Sequence, residues 1–118
     1  MQVITETAMA AAATGGRARL GELGRGLRLP LIAAPMFLVS GPELVLACCR
    51  AGIVGSFPAP NARTVEVLDD WMGRIAVGHA AMTAARPPYL GAWALNLVTH
   101  SSYERLPAEL DLESRHRP

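Results

Sequence analysis

The stretch Leu29-Pro30-Leu31-Ile32-Ala33-Ala34-Pro35-Met36, with Ser40-Gly41-Pro42-Glu43-Leu44 close behind, decides how the rest of the chain reads. A short apolar run ends in Ala-Pro-Met, and a helix start follows within a few residues. Proline has no amide to give a sheet ladder, so Pro35 suits the end of a strand rather than its middle. Ala33 and Ala34 are small enough for a flat group to lie against that end. Ser40 and Glu43 have capping-box spacing, which predicts a helix beginning near Pro42. The pattern is a strand that hands over to a helix through a tight, backbone-presenting loop, the position where α/β barrels place ligands.

Working outward, the predicted first helix runs from Pro42 to Arg50, with Gly52 as its left-handed C-terminal cap. A second strand, Ile53 to Phe57, closes at Pro58 and Pro60. Asn61 or Thr64 caps a longer helix whose apolar stripe is Val65, Leu68, Trp71, Met72 and Ile75. That pattern fades after Gly78, and Pro87-Pro88 end it. A third strand spans Ala92 to Thr99, and Glu104 to Leu112 opens a third helix with Pro107 in its first turn. Alternation of strand and helix predicts a parallel sheet. On the third strand Trp93, Leu95 and Leu97 share one face, while Ala92, Ala94, Asn96 and Val98 share the other. The bulky face should meet helices. The small face should meet a ligand, with Asn96 as a buried amide in need of partners.

Upstream, Leu20, Leu23 and Leu27 suggest one marginal helix over Arg17 to Arg28, weakened by Gly21, Gly24 and Gly26. Residues 1–16 read as a disordered leader ending in Gly15-Gly16. Its Ala-rich run lacks the positive n-region of a secretory signal.

Bulk numbers narrow the function classes. The 118 residues suit one domain, and a hydrophobic content of 51% argues against disorder. Aromatic residues make up only 5%, so Ala, Leu, Val, Ile and Met must build the core. A net charge of +1 supplies no basic field for nucleic acid. No apolar run has the length of a membrane span. Cys48 and Cys49 are adjacent on a helix and read as packed, reduced thiols of a cytoplasmic protein.

Conventional catalytic patterns are scarce. Gly52-Ile53-Val54-Gly55-Ser56 lacks the third glycine of a dinucleotide fingerprint, and Glu22 stands where a phosphate loop needs lysine. His79, His100 and His116 have no metal-ligand spacing to cysteine or carboxylate. His79 reads as a surface residue and His100 as a rim residue after the third strand. Ser40 reads as a cap rather than a nucleophile, and Asp69-Asp70 as a wet helix face. Asn96 is the strongest ligand-binding candidate.

Taken in order, Leu29-Pro30-Leu31-Ile32-Ala33-Ala34-Pro35-Met36, Ser40-Gly41-Pro42-Glu43-Leu44, Ala51-Gly52-Ile53-Val54-Gly55-Ser56 and Ala94-Leu95-Asn96-Leu97 resemble the nitronate monooxygenases, formerly called 2-nitropropane dioxygenases. The likeness covers roughly residues 20–112. It implies an α/β fold that is a partial TIM (β/α)8 barrel, about the first three βα units, with residues 17–118 as an N-terminal fragment. It also implies non-covalent FMN, with Ala34, Pro35 and Met36 against the flavin and Asn96 hydrogen-bonded to it. The implied activity is oxidation of alkyl nitronates with O2. The chain ends before the family's catalytic histidine and phosphate loops, so no catalytic residue is assigned and the fragment alone is expected to be inactive. Alternatives are a non-catalytic remnant or a related flavin barrel such as an FMN-dependent enoyl reductase. The expected partners are a small-molecule nitronate and O2, with neither nucleic acid nor membrane. Bare edges on the first and third strands predict self-association through the open sheet.

Overall fold

A computed structural model describes residues 21–118. The predicted disordered leader, residues 1–16, lies outside them, as does the start of the helix predicted over 17–28, of which residues 21–25 are helical. Helix α1 spans Pro42–Arg50, strand β1 Gly55–Pro58, helix α2 Val65–Ala84, strand β2 Trp93–Asn96 and helix α3 Leu106–His116. A single 3-10 turn, Ala59–Asn61, joins β1 to α2.

Local chemistry accounts for most of these boundaries. Pro42 sits in the first turn of α1, where its missing amide costs nothing. Gly52, just past α1, has φ +82, and a Cβ there would lie 2.6 Å from that of Arg28. Conformation and space therefore both require glycine. Thr64 caps α2, its hydroxyl accepting from the Val67 amide at 3.2 Å. The predicted capping box does not form. Gly41 is the N-cap of α1 and gives no side-chain hydrogen bond. Ser40 Oγ instead accepts from the Met36 amide at 2.9 Å, and Glu43 pairs with Arg74 on α2 at 2.5 Å.

The predicted partial (β/α)8 barrel of about three βα units is not what forms. Among the described residues the sheet has two strands, β1 and β2, parallel and in register from Gly55 opposite Trp93 to Pro58 opposite Asn96. The predicted first strand at 31–34 contributes one isolated parallel bridge, Ile32 to Val54. Its hydrogen bonds are Ala33 N to Val54 O at 2.9 Å and Val54 N to Leu31 O at 3.0 Å. The reason is visible in the chain: Pro35, whose nitrogen would face β1, has no amide to extend the ladder, and at the other end the Leu31 amide turns to the Leu29 carbonyl at 2.8 Å. The result is a small α/β domain whose short sheet is covered by helices, without the curved, continuous ladder that barrel closure needs.

The core lies between the sheet and helices α1 and α2. Phe57, Leu68, Met72, Ile75, Val45 and Cys49 are fully buried there, joined by Trp93 and by Leu112 of α3. Gly55 lets β1 lie directly on α1, since a Cβ at that position would meet the Val45 carbonyl oxygen at 2.4 Å. Both cysteines are free and buried, and the Cys49 thiol donates to the Ala92 carbonyl at 3.3 Å. Burial raises the pKa of that thiol above its ordinary value. Helix α3 docks on α2 through Asp69, which meets His116 at 2.5 Å and Arg115 at 3.4 Å.

A candidate ligand edge at the carboxyl ends of the strands

The loop after Ala33 and the ends of β1 and β2 fall on one edge of the sheet, because the three segments run parallel. Ala34, Pro35 and Met36 are all exposed there. Their backbone is tied down at both ends. Ser56 Oγ, from β1, donates a hydrogen bond to the Ala33 carbonyl. Ser40 Oγ receives the Met36 amide.

The main organiser of the loop is Asn61. Its Nδ2 donates to the Met36 carbonyl at 3.0 Å and to the Ser40 carbonyl at 2.8 Å, and its Oδ1 accepts from the Leu38 amide at 3.0 Å. One side chain thus satisfies three backbone groups of a loop more than twenty residues away. Within this clamp Leu38 is held at φ +64, a left-handed conformation that costs an ordinary residue about 1–2 kcal/mol. In the sequence Asn61 reads only as a helix cap. Its place directly after Pro58-Ala59-Pro60, where β1 stops, is the signal that could have marked it as a loop anchor.

Asn96 stands opposite Pro58 at the last register position of the sheet. The strand parity predicted for this region holds: Trp93 enters the core, Leu95 and Leu97 pack partly against it, and Asn96 stays out. The expected burial of Asn96 does not hold. Its amide is exposed and makes no hydrogen bond to another described residue. The 29–34 segment and β2 flank β1, two interstrand spacings apart, and by the register Asn96 lies two residues further along the sheet than Ala34.

Behind this edge lies a buried polar cluster that sequence reading did not identify. Tyr103 donates to Glu109 Oε1 at 2.7 Å, and Arg105 Nη2 approaches the same oxygen at 3.2 Å, close enough for an ion pair but without hydrogen-bond geometry. Arg105 Nη1 also donates to the Ala62 and Arg63 carbonyls, which fixes the loop after β1 to the start of α3. Desolvation, reinforced by the hydrogen bond to Glu109, pushes the Tyr103 hydroxyl up to about 12, so it remains a donor at neutral pH. Glu109 is fully buried, and its Oε2 has no partner among the described residues.

The three histidines divide among different roles. His79, expected on the surface, is half-buried with its ring against the Gly91 carbonyl at 2.9 Å. His100 is exposed at the rim and engages Ser102 at 2.8 Å. His116 serves the α2–α3 contact. No group of three or more metal-ligating side chains exists among the described residues. A broad open groove between α1 and α2, about 670 Å³ in volume, is spanned by the Arg74–Glu43 pair and includes none of Ala34, Pro35, Met36 or Asn96 in its lining. Among the described residues, no helix is long and apolar enough to cross a membrane.

Comparison with known proteins returns no matching family model, no matching curated protein and no matching solved structure.

Proposed function

We propose that the carboxyl edge of this sheet binds the ring system of FMN, and that the chain acts as part of a nitronate monooxygenase-like flavin oxidoreductase. The observation that carries this reading is the rigid Ala34–Met36 platform on the same edge as Asn96, whose amide is unpaired among the described residues. Small, exposed Ala34 leaves a flat group room to approach the backbone. Asn96 offers both a donor and an acceptor to ring heteroatoms. The residues fit the ring better than the phosphate. No glycine-rich loop of amides points from this edge among the described residues, and Arg105 is already committed to two carbonyls and Glu109.

Bound flavin would supply the two-electron chemistry by which a nitronate is oxidised and O2 reduced. The chain's own contribution is positional. Asn61 and Ser40 hold the platform, and Asn96 orients the ring. Tyr103 and Arg105 keep the neighbouring loop in place through Glu109 and the Ala62 carbonyl. No side chain at this edge is assigned as a catalytic base. Two free, buried cysteines support a cytoplasmic setting for this reading.

Titrating FMN with the full chain, followed by flavin fluorescence, tests the proposal. Saturable quenching is expected. Asn96→Ala should weaken it several-fold, and Ala34→Phe should abolish it by filling the platform. Unchanged flavin fluorescence at saturating protein would refute flavin binding. Equal binding by the wild type and both variants would place the flavin elsewhere.

A further inference from the structure

The loop that Asn61 clamps carries apolar side chains that no other described residue buries. Phe37, Leu38 and Val39 are 67%, 73% and 65% exposed, and on the segment that leads into this loop Leu29, Leu31 and Ile32 are 50%, 53% and 65% exposed. Together they present several hundred Å² of apolar surface. That is the size of the largest patch on a typical monomer, and it approaches the roughly 800 Å² per partner of a standard interface.

Three further observations point to what covers this patch. From Leu29 through Pro42 the sequence has no charged residue, so the patch lacks the lysines that normally guard a sheet edge. Leu31 O and Ala33 N bond to Val54, which turns the amide and carbonyl of Ile32 away from β1. They form an open edge bounded by Pro30 and Pro35. Finally, the Asn61 clamp holds Leu38 in a left-handed conformation that stands its side chain in solvent.

We propose that this surface is an interface between two copies of the chain, related by a two-fold axis beside Ile32. An uncharged, apolar patch is complementary to itself, as an isologous contact requires. Ile32 of each copy exchanges its amide and carbonyl with the other. The Phe37–Val39 tips pack across the axis, already in shape because Asn61 and Ser40 hold them. Asn96 lies beyond β1 on the opposite side of the sheet and stays free. The pairing does not depend on flavin binding.

Light scattering on the full chain across a dilution series tests this. The expected mass is twice the 12.5 kDa monomer at the concentrated end, falling on dilution. Leu38→Asn should hold the mass at the monomer value. Asparagine tolerates the left-handed conformation better than leucine, so the variant removes the contact without harming the fold. Ile32→Lys should do the same by charging the edge. Val77→Asn alters a side chain that is also 73% exposed, but on α2, and should leave the dimer intact. If Ile32→Lys fails to fold, as read by circular dichroism, Leu38→Asn decides alone. A wild type that is monomeric throughout overturns the proposal, and so does a Leu38→Asn variant that still dimerises. Binding of a monomeric wild type to phosphatidylcholine vesicles, lost in Leu38→Asn, would also overturn it and assign the patch to a lipid surface.

Discussion

The two sides of the small sheet are built by opposite means. On the helical side Phe57, Leu68, Met72 and Ile75 vanish into a core with Val45 and Trp93, and order comes from burial. On the loop side, residues 34–39 are exposed, and order comes from polar side chains that grip backbone: Asn61, Ser40 and Ser56. Removal of apolar area from water drives folding without regard to direction, so the core tolerates approximate shapes. Hydrogen bonds are directional and modest in net worth, so the loop is held in one shape by a few specific atoms. A stable frame thus carries a finely positioned edge whose share of the stability is smaller than the core's.

Removing a core side chain should have the largest effect. Phe57→Ala deletes a fully buried ring that packs at a tilt against Trp71, with ring centres 5.9 Å apart. A loss of about 3–5 kcal/mol is expected in chemical denaturation. A loss below about 1 kcal/mol would mean that β1 is not the centre of the core.

Asn61→Ala tests the other side. About 1–3 kcal/mol is expected, from three backbone groups losing their partner. The sharper readout is local: the Leu38 amide should exchange with solvent far faster while the amides of α2 keep their protection. Equal acceleration in both places would erase the distinction between frame and edge.

The smallest effect lies at the α2–α3 contact. The hydrogen bond from His116, with Arg115 nearby, holds the Asp69 carboxyl below the ordinary aspartate value. A depressed folded pKa adds stability that is present above the unfolded value, near 4, and disappears as pH falls through the folded value. Thermal midpoints should therefore decline in acid, and His116→Ala should flatten that decline. An unaltered acid limb would show that α3 docks without the pair.

Much of the frame was legible in the residues. Pro42 and Arg50 bounded α1, Thr64 and the Leu68–Met72–Ile75 stripe marked α2, and Gly52 was readable as a left-handed position, because each of these signals acts within a turn or two of chain. The parity of Trp93 and Asn96 was legible for the same reason. The sheet was overread. A run such as Leu31–Ala34 has strand chemistry, but whether it forms a ladder depends on an amide at Pro35 that does not exist, on a Leu31 amide that turns to Leu29, and on partners that no local pattern reveals. Ser40 and Glu43 had capping spacing, yet Arg74 from α2 and the Met36 amide claimed them. The candidate edge was legible in Ala34–Met36 and Asn96 but not in Asn61, Tyr103 or Glu109. Their roles arise from contacts across distant positions or from burial around a later helix.

The adjacent thiols of α1 have a practical consequence for following this molecule in time. Only the thiolate reacts with alkylating reagents, and Cys49 is sealed in the core, engaged with the Ala92 carbonyl and biased toward its protonated form. Reagent can therefore reach it only when α1 lifts from β2. In the regime where capture outpaces reclosing, the labelling rate at Cys49 equals the rate of that opening, so the native chain carries its own kinetic probe at the joint between α1 and β2.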